Sequence, residues 1–153
     1  MKTLIVIFLV ASASIGFAQN ESLRQAHFNV NTNNVVNDGY DPVSYFARNP
    51  MLGKSGIKYT YQGVIYWFNT EANRVSFKKD PRKYEPQYGG WCAYALGHKP
   101  EKVRVNPETY KILNGKLYLF YNFRFTNTLK LWNTDETNLL ANSAKNWNKV
   151  IKH

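Results

Sequence analysis

A chain of 153 residues can bury one sizeable core but is short for two domains. Its 20 Lys and Arg residues outnumber its 10 Asp and Glu residues, which gives a formal net charge of +10. The cations are scattered, which argues against nucleic-acid binding and favours a solvated basic surface. A lone cysteine, Cys92, excludes an internal disulfide, so the fold must be held by its core.

The first 18 residues have the pattern of a signal peptide. Lys2 gives a charged start, an apolar run covers 4–10, and Gly16 and Ala18 are small residues at the positions that a signal peptidase reads. An uncleaved anchor is the alternative, but the apolar run is short for a membrane span. We therefore expect cleavage after Ala18 and an exported protein, periplasmic or secreted, without a transmembrane segment.

The next segment, 19–37, is polar and rich in asparagine, which predicts a flexible, extended lead-in. The Asp38-Gly39 dipeptide is typical of a turn, so we expect the folded part of the chain to start there. A single domain over 38–153 is predicted. Near its start, Asp41 precedes a proline, a pattern typical of a helix N-cap, and a short helix is expected to follow.

Two segments predict β-hairpins with the same order of features. In 58–68, Tyr59 and Tyr61 alternate before a Gln-Gly pair and a run that is apolar on both faces follows it, and in 110–121 apolar residues flank an Asn-Gly pair. Asn-Gly is strongly preferred in two-residue hairpin turns because both positions need a positive φ. We expect the two hairpins to build a small antiparallel sheet.

Helical patterns surround these hairpins. Thr70 is the predicted N-cap of a helix over 71–79, on which Asn73 and Phe77 share one face. Because Phe77 is expected in the core, Asn73 is drawn inward and needs a hydrogen-bond partner. The periodicity of 91–96 fits a short helix or a strand equally well.

From Asn127 onward the pattern is helical and amphipathic. The apolar residues that recur at helical spacing are Leu140, Ala144, Trp147 and Ile151. This face is expected to pack on the sheet. The predicted fold class is α+β: a small antiparallel sheet of two hairpins, packed with short helices and a C-terminal amphipathic helix.

Unusual chemistry is concentrated in the segment 84–98, which holds Cys92 and, six residues later, His98. A thiolate and an imidazole suit copper or zinc, but two ligands do not close a site, and a tyrosine, an aspartate or a second molecule would have to complete it. His27 and His153 are candidates only if the flexible ends of the chain fold back. A buried, structural thiol is the alternative. A thiol-dependent enzyme is less favoured, because no nucleophile signature surrounds the pair.

Several motifs, in this order and spacing, resemble the YHS domain family. They are Asp41-Pro42-Val43, Tyr61-x-Gly63-x-x-Tyr66-x-Phe68, Asn73-Arg74-x-x-Phe77 and Asp80-Pro81-x-x-Tyr84. Those that resemble its exported, single-domain branch are Pro86-Gln87-Tyr88-Gly89-Gly90-x-Cys92-Ala93, Gly115-Lys116-Leu117-Tyr118 and Trp147. The resemblance runs from about Gly39 to Trp147. It implies membership of a wider group of small domains, many of which bind heavy metals.

The chain departs from the metal-binding members of that family at three places. Where they carry cysteine, it has Ser44, Asn69 and Asn73. Hydroxyl and amide groups are poor substitutes for thiolates as ligands of soft metals. The resemblance therefore implies a lost thiolate site, and these three residues are expected to form a hydrogen-bonded polar cluster instead.

A non-metal binding module is the remaining alternative. The aromatic residues Tyr40, Tyr45, Tyr88 and Trp91, together with Arg74, could line a pocket for a small or anionic ligand, although most such rings belong to cores. The residues predicted for this pocket or for the polar cluster are Asp41, Ser44, Tyr45, Asn69, Asn73, Arg74 and Tyr88. We thus expect an exported binding protein, either for copper or zinc or for a small ligand, with a purely structural module as a further alternative.

Overall fold

The computed structural model describes residues 20–152. The predicted signal peptide over 1–18 lies outside the described residues, as does His153. In chain order the elements are α1 (20–27), β1 (Lys54–Tyr61), β2 (Val64–Phe68), α2 (Glu71–Lys79), α3 (Pro81–Tyr84), α4 (Ala93–His98), β3 (Asn106–Leu113), β4 (Lys116–Phe120), β5 (Asn122–Phe123), β6 (Thr126–Asn127), α5 (Thr128–Trp132) and α6 (Glu136–Val150). Short 3₁₀ turns lie at Asn37–Gly39, Ser44–Ala47 and Gln87–Gly90.

The α+β class is confirmed, and so are both predicted hairpins. They do not join into one sheet: β1–β2, β3–β4 and the unexpected β5–β6 are three separate antiparallel ribbons. The free edge of each large ribbon is met by an irregular segment, since Val35 bridges Ile65 in the first, and Cys92 bridges Leu119 in the second. These single bridges lie along the outer edges of β2 and β4 and do not join the ribbons into one sheet.

The first ribbon packs on α2. On β2, burial alternates with the pleat, and Val64, Tyr66 and Phe68 point into the core. Phe77 of α2 meets them, with ring centroids 4.6 Å from Tyr66 and 5.3 Å from Phe68. The helix begins as predicted, because the Thr70 side chain accepts a hydrogen bond from the Asn73 N–H at 3.1 Å.

The second ribbon is covered on both faces. Four consecutive residues of β4, from Leu117 to Phe120, are buried, as expected for a strand enclosed on two sides. Cys92 packs against one face with Leu117 and Leu119, and Trp132 packs against the other with Phe120. Segment 91–96, which periodicity left undecided, contains most of the short helix α4.

The C-terminal helix α6 packs chiefly on α4 and not on a sheet. The contact is close: a Cβ added at Gly97 would lie 2.7 Å from the Leu139 Cδ2. The buried residues of α6 are Leu139, Ser143 and Asn146, whereas Ala144 and Ile151 of the predicted face are exposed. The predicted face is therefore displaced by about one residue.

The segment 20–37 also differs from its predicted form. It contains α1, whose Arg24 is paired with Glu85 and lies 4.3 Å from the Phe28 ring centroid. Farther along, the buried Asn29 donates its Nδ2–H to the Gly90 carbonyl at 3.1 Å. An asparagine-rich composition suggested a lead-in, but the side chains of Asn29 and Asn37 bond to the Gly90 carbonyl and the Tyr45 hydroxyl and hold the segment against the domain.

Candidate functional site

The predicted polar cluster is built around the carboxylate of Asp41, which is fully buried. Its Oδ1 accepts hydrogen bonds from the backbone N–H groups of Val43 at 2.8 Å and Ser44 at 3.4 Å. Its Oδ2 accepts from the Asn69 N–H at 2.8 Å and from the Asn73 Nδ2–H at 2.7 Å. Four N–H donors thus converge on one buried carboxylate, and Asn73 finds the partner that its inward position requires.

Two further side chains of the cluster bond to nearby backbone groups. The Ser44 hydroxyl donates to the Asp41 carbonyl at 2.6 Å and accepts from the Met51 N–H at 2.9 Å. The Asn69 Nδ2–H donates to the Leu52 carbonyl at 3.3 Å. Ser44, Asn69 and Asn73 therefore lie together, joined through Asp41. The cluster holds the 3₁₀ turn Ser44–Ala47 against the N-terminal part of α2.

This donor set does not fit copper or zinc. A hydroxyl, two amides and a carboxylate that already accepts four hydrogen bonds offer no thiolate or imidazole. Within residues 20–152, no group of three or more His, Cys, Asp or Glu side chains is placed to hold a metal ion. The contacts assign the Asp41 cluster a stabilising role.

Cys92 is enclosed at the start of α4, between β4 and α5, and is fully buried. Its Sγ accepts the Tyr121 N–H at 3.3 Å and lies 3.5 Å from the Thr128 Oγ1. Since the Thr128 hydroxyl donates to the Tyr121 carbonyl at 2.8 Å, the thiol is the donor to Thr128. The sulfur is held in a closed set of hydrogen bonds.

His98 is exposed at the opposite end of α4, with its ring 4.6 Å from that of Tyr94. A six-residue separation along a helix is about 9 Å, so the buried thiol and this imidazole are not neighbours on one face. His27 lies on α1, where burial and the Lys102 ammonium lower its pKa. The Cys92–His98 metal site stays a prediction that no contact among the described residues supports.

The predicted aromatic pocket is dispersed. Tyr45 is fully buried, and its hydroxyl accepts from the Asn37 Nδ2–H at 2.9 Å and donates to the Pro107 carbonyl at 2.8 Å. Burial raises the pKa of Tyr45 well above its usual range. Tyr40 instead donates to Glu108 at 3.2 Å near the surface. These rings do not face a common space.

Arg74 and Trp91, which were also predicted to line this pocket, lie apart from Tyr88. Arg74 forms an ion pair with Glu71 at 2.8 Å on the same helix, although its Nε is buried without a partner among the described residues. The indole of Trp91 donates to the His27 carbonyl at 2.6 Å. Neither residue reaches the hydroxyl of Tyr88, which is hydrogen-bonded to the Ser143 hydroxyl at 2.8 Å; because Ser143 donates its single proton to the Leu140 carbonyl at 2.9 Å, Tyr88 is the donor in this pair.

Tyr88 instead lines a groove of about 280 Å³ between the second ribbon and α6. The groove is lined by Gln87, Tyr88, Asn114, Lys116, Tyr118, Leu140 and Ala144. The lining residues come from the β3–β4 hairpin, from α6 and from the 3₁₀ turn Gln87–Gly90. The spacing of the lining residues within each element could have been read from the sequence: Lys116 and Tyr118 are two apart on a strand, and Leu140 and Ala144 are four apart on a helix, so each pair shares a face.

The groove combines two phenols, two amides and one ammonium group, with no carboxylate in its lining. Burial, the neighbouring Tyr88 and Glu136 raise the pKa of Tyr118 to about 12, and burial also raises the pKa of Tyr88. Both phenols are therefore neutral at physiological pH, and that of Tyr88 is already hydrogen-bonded to Ser143. Lys116 is exposed at the rim and supplies the positive charge.

Comparison of this chain with protein-family models, with curated proteins and with solved structures finds no match. Within residues 20–152, no helix has both the length and the apolar content needed to cross a membrane. The chemistry of the described residues is therefore the basis for assigning a function.

Proposed function

We propose that this chain is an exported, YHS-like binding protein that takes a small organic anion carrying a ring, and that it binds this ligand in the groove beside Tyr88. The observation that carries the proposal is the groove itself, a concave space of about 280 Å³ lined by aromatic, amide and cationic side chains. Sites for small molecules usually join an apolar wall to a few polar groups that fix orientation.

The ligand class follows from the lining. Leu140 and Ala144 of α6 contribute apolar surface to the lining, to which the largely buried rings of Tyr88 and Tyr118 add a small aromatic part. Lys116 favours an anionic group at the rim, where no lining carboxylate competes with it. The net charge of +10 adds a long-range attraction for anions.

The Asp41 cluster and Cys92 support this proposal because their polar atoms are already hydrogen-bonded within the protein. The Asp41 carboxylate already accepts four hydrogen bonds, and the Cys92 sulfur is enclosed by Tyr121 and Thr128. Copper or zinc handling would require either centre to open. The groove requires no such rearrangement.

Calorimetric titration with 2-naphthoate, and with uncharged 2-naphthamide as the control ligand, tests the proposal. Ala144→Leu fills the groove from an exposed helix position, and Ala141→Leu makes the same change on an exposed position of α6 outside the groove. We expect the wild type and Ala141→Leu to bind 2-naphthoate more tightly than the amide, and Ala144→Leu to bind it at least about tenfold more weakly. Equal affinity in all three proteins would overturn the assignment of the groove.

A further inference from the structure

The small ribbon β5–β6 ends in a turn of unusual composition. All three ribbons turn through two residues of positive φ: Gln62-Gly63 (47° and 84°), Asn114-Gly115 (51° and 72°) and Arg124-Phe125 (48° and 68°). The first two place glycine at the second position, as this kind of turn favours. The third places phenylalanine there, and a bulky residue at positive φ is a genuine conformational outlier.

This strained turn projects apolar surface into solvent. Phe125 is exposed to 111% of its reference area and Phe123 to 44%. A large apolar ring gains nothing for folding when it stays in water, so neither the backbone conformation nor the burial of Phe125 explains its presence. Backbone strain of this kind is typically retained where a segment has a task beyond folding.

The base of the ribbon is firmly held. Asn122 pairs with Asn127, and its Nδ2–H donates to the Thr109 hydroxyl at 3.0 Å. The Thr128 N–H and hydroxyl both donate to the Tyr121 carbonyl, at 3.0 and 2.8 Å. The exposed ring is thus presented on a fixed support.

The stretch of sequence that contains the tip is basic, although Lys111 within it is paired with Glu136. Between Glu108 and Asp135 the chain carries four cations and no acidic residue; these cations are Lys111, Lys116, Arg124 and Lys130. Arg124 lies next to Phe125 in the turn, and no ion pair among residues 20–152 involves Arg124 or Lys130. An aromatic residue beside unpaired cations matches the interface of an anionic membrane, where rings enter the headgroup region and cations meet phosphates.

We propose that the β5–β6 tip, Phe123 to Phe125, inserts into the surface of a membrane that contains anionic lipid. Phe125 supplies the apolar contact, and Arg124 binds the lipid phosphate. In this arrangement residues 20–152 lie on the membrane surface, since none of their helices is long and apolar enough to span it. This role is independent of the groove, which is formed by other residues.

The test is sedimentation of the protein with vesicles of phosphatidylcholine and phosphatidylglycerol in equal amounts, compared with phosphatidylcholine alone. The protein is taken after export, and its N-terminus is checked by mass spectrometry, because an uncleaved apolar segment over 4–10 would itself bind lipid. Phe125→Gly removes the ring and suits the positive φ, so it should fold at least as well as the wild type. Val75→Ala, which shortens an apolar residue 59% exposed on α2, is the matched control.

We expect binding to the anionic vesicles by the wild type and the control, and about tenfold weaker binding by Phe125→Gly with an equal or higher melting temperature. Arg124→Gln should weaken binding to the anionic vesicles and leave binding to phosphatidylcholine vesicles unchanged. Added salt should remove the difference between this variant and the wild type. Equal vesicle binding by Phe125→Gly and the wild type, or no binding by the wild type, would overturn the proposal. If the wild type does not bind vesicles, a protein that binds the wild type and not Phe125→Gly would assign the tip to a protein partner instead.

Discussion

The polar cluster around Asp41 and the groove beside Tyr88 both gather hydrogen-bonding side chains, but they use them differently. Four N–H donors meet the carboxylate of Asp41, and the hydroxyl of Ser44 both donates and accepts. In the groove, the Lys116 ammonium and the Asn114 amide are exposed to solvent. Polar groups that satisfy one another stabilise the fold, whereas polar groups that face a cavity are available to a ligand.

The largest effect should come from breaking the cluster. Asp41→Ala leaves several buried N–H groups without an acceptor, and we expect it to lower the free energy of unfolding by about 3 kcal/mol or more. Asn73→Ala removes a single donor and should cost about 1 kcal/mol. Urea unfolding of both variants measures the difference. A loss below about 1 kcal/mol for Asp41→Ala would mean that the cluster is not structural.

A smaller effect is expected at Cys92. Cys92→Ala removes a buried sulfur and its hydrogen bonds, which should cost about 1–2 kcal/mol in urea unfolding. In the folded protein the thiol should resist alkylation, and it should react once the chain is unfolded. Titration with copper(I) should give the same result for the wild type and the variant. Rapid alkylation of the folded protein, together with loss of copper binding in Cys92→Ala, would restore the thiol as a metal ligand.

The smallest effect concerns the phenols of the groove and appears only at alkaline pH. In the unfolded chain tyrosine ionises near pH 10, whereas in the folded protein the pKa of Tyr118 is raised to about 12 and that of Tyr88 is also raised. Between these values the unfolded chain has released protons that the folded chain still holds. Stability should therefore be full below about pH 10 and decrease as the pH rises toward 12.

Urea midpoints measured across this alkaline range test the tyrosine prediction. Tyr118→Phe is the comparison, since it removes the hydroxyl and keeps the ring. Its stability should decrease less steeply with pH than that of the wild type. The same slope in both proteins would show that Tyr118 ionises alike in the folded and unfolded chain.

Much of the local structure could be predicted from the sequence because local residues decide it. The Asn114-Gly115 pair sets the turn of the second hairpin, and the Thr70 side chain starts α2 as expected. The contacts of Ser44 and Asn73 with Asp41 also agree with the expected polar cluster. Each of these features depends on a short motif or on a residue whose need for a partner could be stated in advance.

The displaced face of α6 shows where such predictions end. A pattern of apolar residues does not reveal that Ser143 and Asn146 are buried, because both are polar. Their burial is made possible by hydrogen bonds to the Tyr88 hydroxyl and to the Leu96 carbonyl. Asn29 presents the same difficulty, since its partner is the Gly90 carbonyl. A polar residue gives no sign in the sequence of a partner that only tertiary folding supplies.

The groove could not be predicted for a related reason. Its lining residues include Gln87, Lys116 and Leu140, which belong to three segments far apart in the chain. None of these segments carries a motif for ligand binding by itself. The separate ribbons and the packing of α6 on α4 decide that they meet.

The most direct test of the contrast between cluster and groove is an NMR titration with 2-naphthoate that follows side-chain amides. The groove contains the amides of Gln87 and Asn114, and the cluster contains those of Asn69 and Asn73. We predict saturable shifts of the first pair and unchanged positions of the second. Shifts confined to Asn69 and Asn73, or no saturable shift at Gln87 and Asn114, would contradict the account.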